Sequence, residues 1–269
     1  MALFALKLLL VLALLLGLTL IWLELRHRLR PASPLRLQTG PFEVEAGGAG
    51  LEVSGTITLS NPHQRMEVMV PEIELRPTLL GRGDLGGITV SSRIEALHPD
   101  EDSRPDGYWA AYIVKGNKST QARIRISLGG SGGQALDPAL LDTLWLEILW
   151  INYGPFGRLQ RRDAILIPLQ QPAPLTAEAA RWRQGDRCRV LPVGTHLLGV
   201  LDDPEAVLRR YAGGLIQPGD VLTIGETPLA VMQGRYQHPA NLAPSMLARL
   251  LCRVFHPTSS LATACGLQS

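Results

Sequence analysis

Hydrophobic and polar positions follow three different rules along this chain. From Ala2 to Leu23 the residues are almost all apolar, ALFALKLLLVLALLLGLTLIWL, with Lys7 as the only charge. As a helix this run spans about 33 Å, enough for a hydrocarbon core about 30 Å thick, and Lys7 lies close enough to the end to snorkel. A cleavable signal would be followed by a small-x-small site. Here Ile21-Trp22-Leu23-Glu24-Leu25-Arg26-His27-Arg28 follows, which points to a retained anchor. Arg26, Arg28 and Arg30 outweigh Lys7 and the terminal amine, so the positive-inside rule predicts a single-pass protein with its N-terminus outside and the bulk of the chain cytoplasmic. Trp22 suits an interfacial ring at that end, and residues 1–30 form the expected anchor with its basic flank.

Past the joint Pro31-Ala32-Ser33-Pro34 the pattern changes to alternation. Leu51–Leu59, Met66–Val70, Ile73–Leu75, Ile88–Val90 and Ala122–Leu128 each place apolar residues two apart, as half-buried antiparallel strands do. Trp109–Val114 and Leu144–Ile151 are nearly continuously apolar, as central strands would be. Asn61-Pro62, Pro77, the glycines from Gly81 to Gly87, Pro99 and the glycine-rich stretch Gly129–Gly133 separate them. About seven strands at this spacing predict an all-β sandwich over residues 35–168.

A third pattern begins after a Pro-rich linker, residues 169–178. Thr176–Trp182 reads as a short helix and Arg187–Val193 as a strand stopped by Pro192. Asp203–Leu215 reads as an amphipathic helix, with Asp203 as cap, Pro204 at the first position, and Ala206, Val207, Tyr211 and Leu215 on one face. A turn at Gln217–Asp220 leads into Val221–Ile224, a second buried strand, so that residues 187–224 have the size of a parallel βαβ unit. Met246–Val254 reads as a further amphipathic helix, with Arg249 and Arg253 as a solvated stripe. The expected fold class is therefore multi-domain: a transmembrane helix, an all-β sandwich, then an α/β segment over 179–269.

Composition narrows the function. With 46% hydrophobic against 19% charged residues the chain is not disordered, and its three cysteines exclude a disulfide scaffold. Net charge is +3 over residues 1–34, −3 over 35–168 and +2 over 169–269, so no segment has the basic excess that nucleic acid requires. Basic residues divide into 23 Arg and three Lys, none of the lysines beyond Lys118. Cys188, Cys252, Cys265 and His256 lack metal-ligand spacing, and no metal ligands are assigned.

Three apparent motifs in the middle segment carry no chemistry. Gly81-Arg82-Gly83-Asp84-Leu85-Gly86 matches G-x-G-x-x-G but precedes a strand, whereas a dinucleotide fingerprint opens a helix. Arg82-Gly83-Asp84 and the sequon Asn117-Lys118-Ser119 have no use on a cytoplasmic domain. Asn61-Pro62 between strand pairs resembles the sandwich of the late-embryogenesis-abundant and water-stress type over residues 38–128, which implies fold only.

One ordered set of motifs is more specific. Val190-Leu191-Pro192-Val193, Asp202-Asp203 opening a helix, Pro218-Gly219-Asp220-Val221-Leu222-Thr223-Ile224 and Gly234-Arg235 resemble the start of the ligase family that extends coenzyme F420-0 with γ-linked glutamates. The resemblance implies a ligase that uses GTP and Mn or Mg to activate a carboxylate as an acyl phosphate for attack by the amine of glutamate. It also implies a homodimer and a small-molecule substrate. By the same resemblance, the nucleotide is held by Thr195, His196, Leu197 and Leu198 and by Glu226 and Thr227. Val231 stands where the family has a lysine, and Glu226 where it has a small hydroxyl residue. The family's metal-binding acids lie further along than Ser269, so the segment reads as truncated and as an incomplete or inactive enzyme, with catalytic residues unassigned. The alternative is a non-enzymatic anchored sandwich that binds a partner and keeps a remnant nucleotide-binding fold.

Overall fold

The computed structural model describes residues 2–28, 33–47, 50–130 and 136–268. Pro31 and Ala32 of the joint, Arg30 of the basic flank, and Ser131, Gly132 and Gly133 of the glycine-rich breaker lie outside the described residues.

The apolar run forms one uninterrupted helix, α1 (Ala2–Arg28). Within it Leu6–Arg26 is apolar and long enough to cross a membrane, and none of that stretch is buried against the rest of the protein. The Arg26 guanidinium lies over the Trp22 ring, 5.2 Å from its centroid.

The alternating region folds into two facing antiparallel sheets. The first comprises β1 (Arg36–Gly47), β2 (Gly50–Ser60), β7 (Ser119–Gly130) and β5 (Ile88–Leu97), in that spatial order. The second is built around β8 (Leu141–Gly154), which pairs with β9 (Gly157–Pro168) on one side and β4 (Ile73–Gly81) on the other. The short β3 (Val68–Val70) continues the line of β4 past Pro71, meets β8 at Tyr153, and pairs with β6 (Tyr112–Val114).

Alternation decides the core. Val53, Ile57 and Leu59 of β2 and Ala122, Ile124, Ile126 and Leu128 of β7 face Leu144, Leu146, Ile148 and Trp150 of β8 and Ile165 and Ile167 of β9 in a single buried cluster. The odd-numbered positions of β7 from Ser119 to Ser127 are on the solvent side, as a sheet with one wet face requires. β8 is buried on both faces over Ile148–Asn152, which accounts for its nearly continuous apolar sequence.

The structure changes several expected strands. Pro77 does not end β4: it sits inside the strand opposite Leu146, and because β4 pairs only with β8 there, no ladder bond is lost at its missing N–H. Trp109–Val114 is strand only from Tyr112, because Trp109 turns inward to donate its indole N–H to the Val70 carbonyl at 2.8 Å. β1 and β9 are additional strands, so the sandwich has nine strand segments among the described residues. His98 closes the long connection between β5 and β6: it is buried, stacked on Tyr112 at 4.0 Å and hydrogen-bonded to Thr120 and the Ala110 carbonyl.

The C-terminal segment departs further from expectation. Thr176–Trp182 makes only a turn, because seven residues of which none is buried have no face to pack and are too few to sustain a helix. The expected strand Arg187–Val193 shortens to β11 (Arg189–Val190), paired with β10 (Arg183–Gln184) in a small hairpin. Val221–Ile224 pairs with no strand among the described residues, and Val221 is 88% exposed rather than buried. The parallel βαβ unit is therefore not formed, although its helix is. That helix is α2 (Pro204–Ala212), followed by α3 (Glu226–Met232), α4 (Met246–Leu251) and α5 (Ala264–Gln268).

Candidate functional site

Helix α2 begins where local chemistry requires. Asp203 accepts a hydrogen bond from Ala206 N at 2.8 Å, and Pro204 occupies the first position, where its missing N–H costs nothing. Its buried face consists of Val207, Tyr211 and Ala212; Ala206, expected on that face, is exposed. Val207 and Tyr211 join Met232 of α3 in a second small core, with Val193, Leu198, Ile224 and Leu229 packed on it.

A polar network holds the loop before α2. The His196 ring is buried, with Nδ1 at 2.8 Å from the Tyr211 hydroxyl and Nε2 at 2.8 Å from Asp202 Oδ1. The other oxygen of Asp202 accepts from Gly199 N at 2.7 Å. Gly199 in turn lies so close to β9 that an added Cβ would stand 2.9 Å from the Leu166 Cβ. The network thus ties the loop to α2 on one side and to the sandwich on the other.

A second attachment lies at Asn241. Its side chain accepts from Arg162 N at 2.8 Å and donates to the Arg162 carbonyl at 2.7 Å, and its own carbonyl accepts from the Arg161 guanidinium at 2.9 Å. These bonds occupy the edge of β9 that faces away from β8, an edge otherwise open to pairing. Below it, Trp150 donates its indole N–H to Asp163 Oδ2 at 2.6 Å. Burial raises the Asp163 carboxyl above its usual range, opposed by that bond and by Arg161 and His238, and burial likewise lowers Arg161.

Between α2, the β10–β11 hairpin and the extended run Val221–Ile224 lies a half-open groove of about 830 Å³. Its walls are mainly apolar, including Val190, Leu191, Val193, Leu198, Leu215, Val221 and Ile224. Among the described residues Arg189 is its one lysine or arginine and Asp220 its one carboxylate, and the Arg189 guanidinium lies 5.1 Å over the Trp182 ring at the rim. Asp220 is held by the turn itself, accepting from Gln217 N at 2.9 Å while Gly219 takes φ +96°.

The six positions expected to hold a nucleotide are placed unequally. Thr195 and Leu198 line the groove. His196 points away into the network with Tyr211 and Asp202, Leu197 is exposed, and Glu226 and Thr227 are exposed at the first turn of α3. The residues that sequence reasoning overlooked are Trp182 and Arg189 at the rim and Asn241 at the attachment. No local pattern marks Asn241, because its partners are 79 and 80 positions away. No group of three or more His, Cys, Asp or Glu suited to a metal ion occurs among the described residues.

Fold and groove together define a multi-domain protein in which an immunoglobulin-like sandwich, preceded by an apolar helix, carries a groove-bearing segment with helices. Residues 36–171 match the family model described as F420-0:gamma-glutamyl ligase, N-terminal Ig-like domain, and the chain belongs to that family. A search of curated proteins gives no match. Solved structures similar to this chain include the GAE domain of GGA2p from Saccharomyces cerevisiae, 7% identical, covering 53% of this chain and 96% of that one at TM-score 0.28. Others are a FixG-related protein from Vibrio parahaemolyticus, 8% identical over 51% and 97% of the two chains at TM-score 0.26, and the CupB6 tip adhesin from Pseudomonas aeruginosa, 13% identical over 53% and 56% at TM-score 0.30.

Proposed function

We propose that this chain is a membrane-anchored relative of the GTP- and metal-dependent ligase that adds γ-linked glutamate to coenzyme F420-0, with a groove that does not itself hold a complete catalytic site. The observation that carries the reading is the family match over 36–171, followed directly by a groove whose walls hold two of the expected nucleotide positions, Thr195 and Leu198. In this reading α1 spans the bilayer with the N-terminus outside, and the sandwich and groove lie in the cytoplasm.

The groove residues do not by themselves fit a nucleotide triphosphate with its metal. A triphosphate needs several cationic or N–H donors, and the groove offers one guanidinium already committed to an aromatic ring. The metal needs a cluster of carboxylates, and Asp220 is bound into its own turn. No catalytic step follows from these residues. The apolar walls suit the base of a nucleotide.

Calorimetric titration of the full chain with GTP and Mn²⁺ tests this. Weak binding that is lost in Leu198→Trp, with no transfer of glutamate to F420-0, is the expected result. Absence of any GTP heat from folded protein would instead favour a non-enzymatic anchored sandwich that binds a partner, a reading supported by the scarcity of cations in the groove. Protease protection of the C-terminal part in sealed inverted vesicles would refute the orientation.

A further inference from the structure

The helical run Met246–Val254, made of α4 and the 3-10 turn Cys252–Val254, is amphipathic with its apolar side turned outward. Met246, Leu250 and Val254 are four residues apart, with Leu247 and Leu251 beside them, and their exposures are 89%, 62%, 81%, 63% and 41%. At 3.6 residues per turn these five side chains cover an arc of roughly 140°. The residue facing the protein is the small Ala248, 5% exposed. A helix on the surface of a soluble domain puts its apolar stripe on the core, so this arrangement requires something to cover it. The helix is not frayed at its start, because Ser245 Oγ accepts from Ala248 N at 3.1 Å.

Charge decides what covers the stripe. Arg249 and Arg253 flank the same side of the arc, and neither α4 nor the turn Cys252–Val254 carries an Asp or Glu. A second copy laid on this face about a two-fold axis would bring arginine pairs together, and the helix itself carries no acid to meet them. A surface of anionic phosphates under a layer of acyl chains is complementary to both parts of the pattern.

Asn241 fixes the segment to Arg162, midway along β9.

We propose that Met246–Val254 lies in the headgroup boundary of an anionic membrane, with Met246, Leu247, Leu250, Leu251 and Val254 among the upper acyl carbons and Arg249 and Arg253 on lipid phosphates. The inference rests on α1 being a membrane anchor. It gives the chain a second, charge-dependent contact with the bilayer that α1 already brings close.

The test is hydrogen exchange on the full chain, one copy per nanodisc, in phosphatidylcholine discs with and without phosphatidylglycerol, and in detergent. Amides of 246–254 should exchange about tenfold more slowly in the anionic discs than in the other two states, since a covered helix opens less often. Arg249→Glu with Arg253→Glu should abolish that slowing and leave α1 protected. Equal exchange in both kinds of disc, with α1 protected, overturns the inference alone. Slow exchange in detergent that depends on protein concentration also overturns it, and assigns the face to a second copy. Rapid exchange along α1 in every disc overturns the anchor itself, and the inference with it.

Discussion

Replacing Asn241 by alanine removes one side chain and two hydrogen bonds, both to the backbone of Arg162, at 2.8 and 2.7 Å. Each net bond of this kind contributes roughly 1 kcal/mol, so Asn241→Ala should weaken the attachment of the C-terminal segment by about 2 kcal/mol. At about 1.4 kcal/mol per factor of ten, the Arg162 amide should exchange roughly thirtyfold faster. The neighbouring amides supply the control. In an antiparallel strand successive N–H groups point to opposite sides, so Arg161 and Asp163 donate toward β8 while Arg162 points to the free edge. Only Arg162 should lose protection, and the chemical denaturation of the sandwich should change little. Freed of its cover, the β9 edge should also promote self-association at high concentration, seen by light scattering. An Arg162 amide as protected in Asn241→Ala as in the parent would refute the reasoning, because Asn241 is its hydrogen-bond partner.

Other outcomes follow from the same structure. Ile124→Ala, at a position with no solvent exposure in the sandwich core, should lower stability by about 2–5 kcal/mol in urea unfolding. Burial lowers the His98 pKa from its ordinary value near 6.5, so the folded state prefers the neutral ring. Its contribution is therefore complete above about pH 6.5 and lost as pH falls below that value toward the folded pKa; the urea midpoint should drop there, and less so in His98→Gln. Tyr211→Phe removes the hydroxyl that meets His196 Nδ1 and should cost about 1–2 kcal/mol in local stability, read as faster exchange of α2 amides with the sandwich unchanged. Gly199→Ala should loosen the loop from β9, because its methyl would press on Leu166, and raise protease cleavage between residues 195 and 202.

Legibility in the sequence differed by region for physical reasons. Val53, Ile57 and Leu59, and Ile124, Ile126 and Leu128, face the core as alternation predicts, since period two by itself sends such side chains to one face. The cap Asp203 and the turn at Asp220 were equally readable, because each bond closes within three residues. Val221–Ile224 has the composition of a buried strand, yet strand formation depends on a neighbour at the right distance, which four residues by themselves do not supply. The stripe on Met246–Val254 was legible as an amphipathic pattern. Which way it turned was not, because periodicity has no sign relative to the core.

The sequence by itself determined what depends on neighbours along the chain: the apolar span of α1, the alternating strands and the start of α2. Tertiary structure alone decided the seating of Asn241 on Arg162, the withdrawal of His196 from the groove to Tyr211 and Asp202, and the outward face of α4. The division follows from range. Capping, alternation and helix length are set over a few residues, whereas an edge, a groove or an uncovered face exists only after distant segments have packed together.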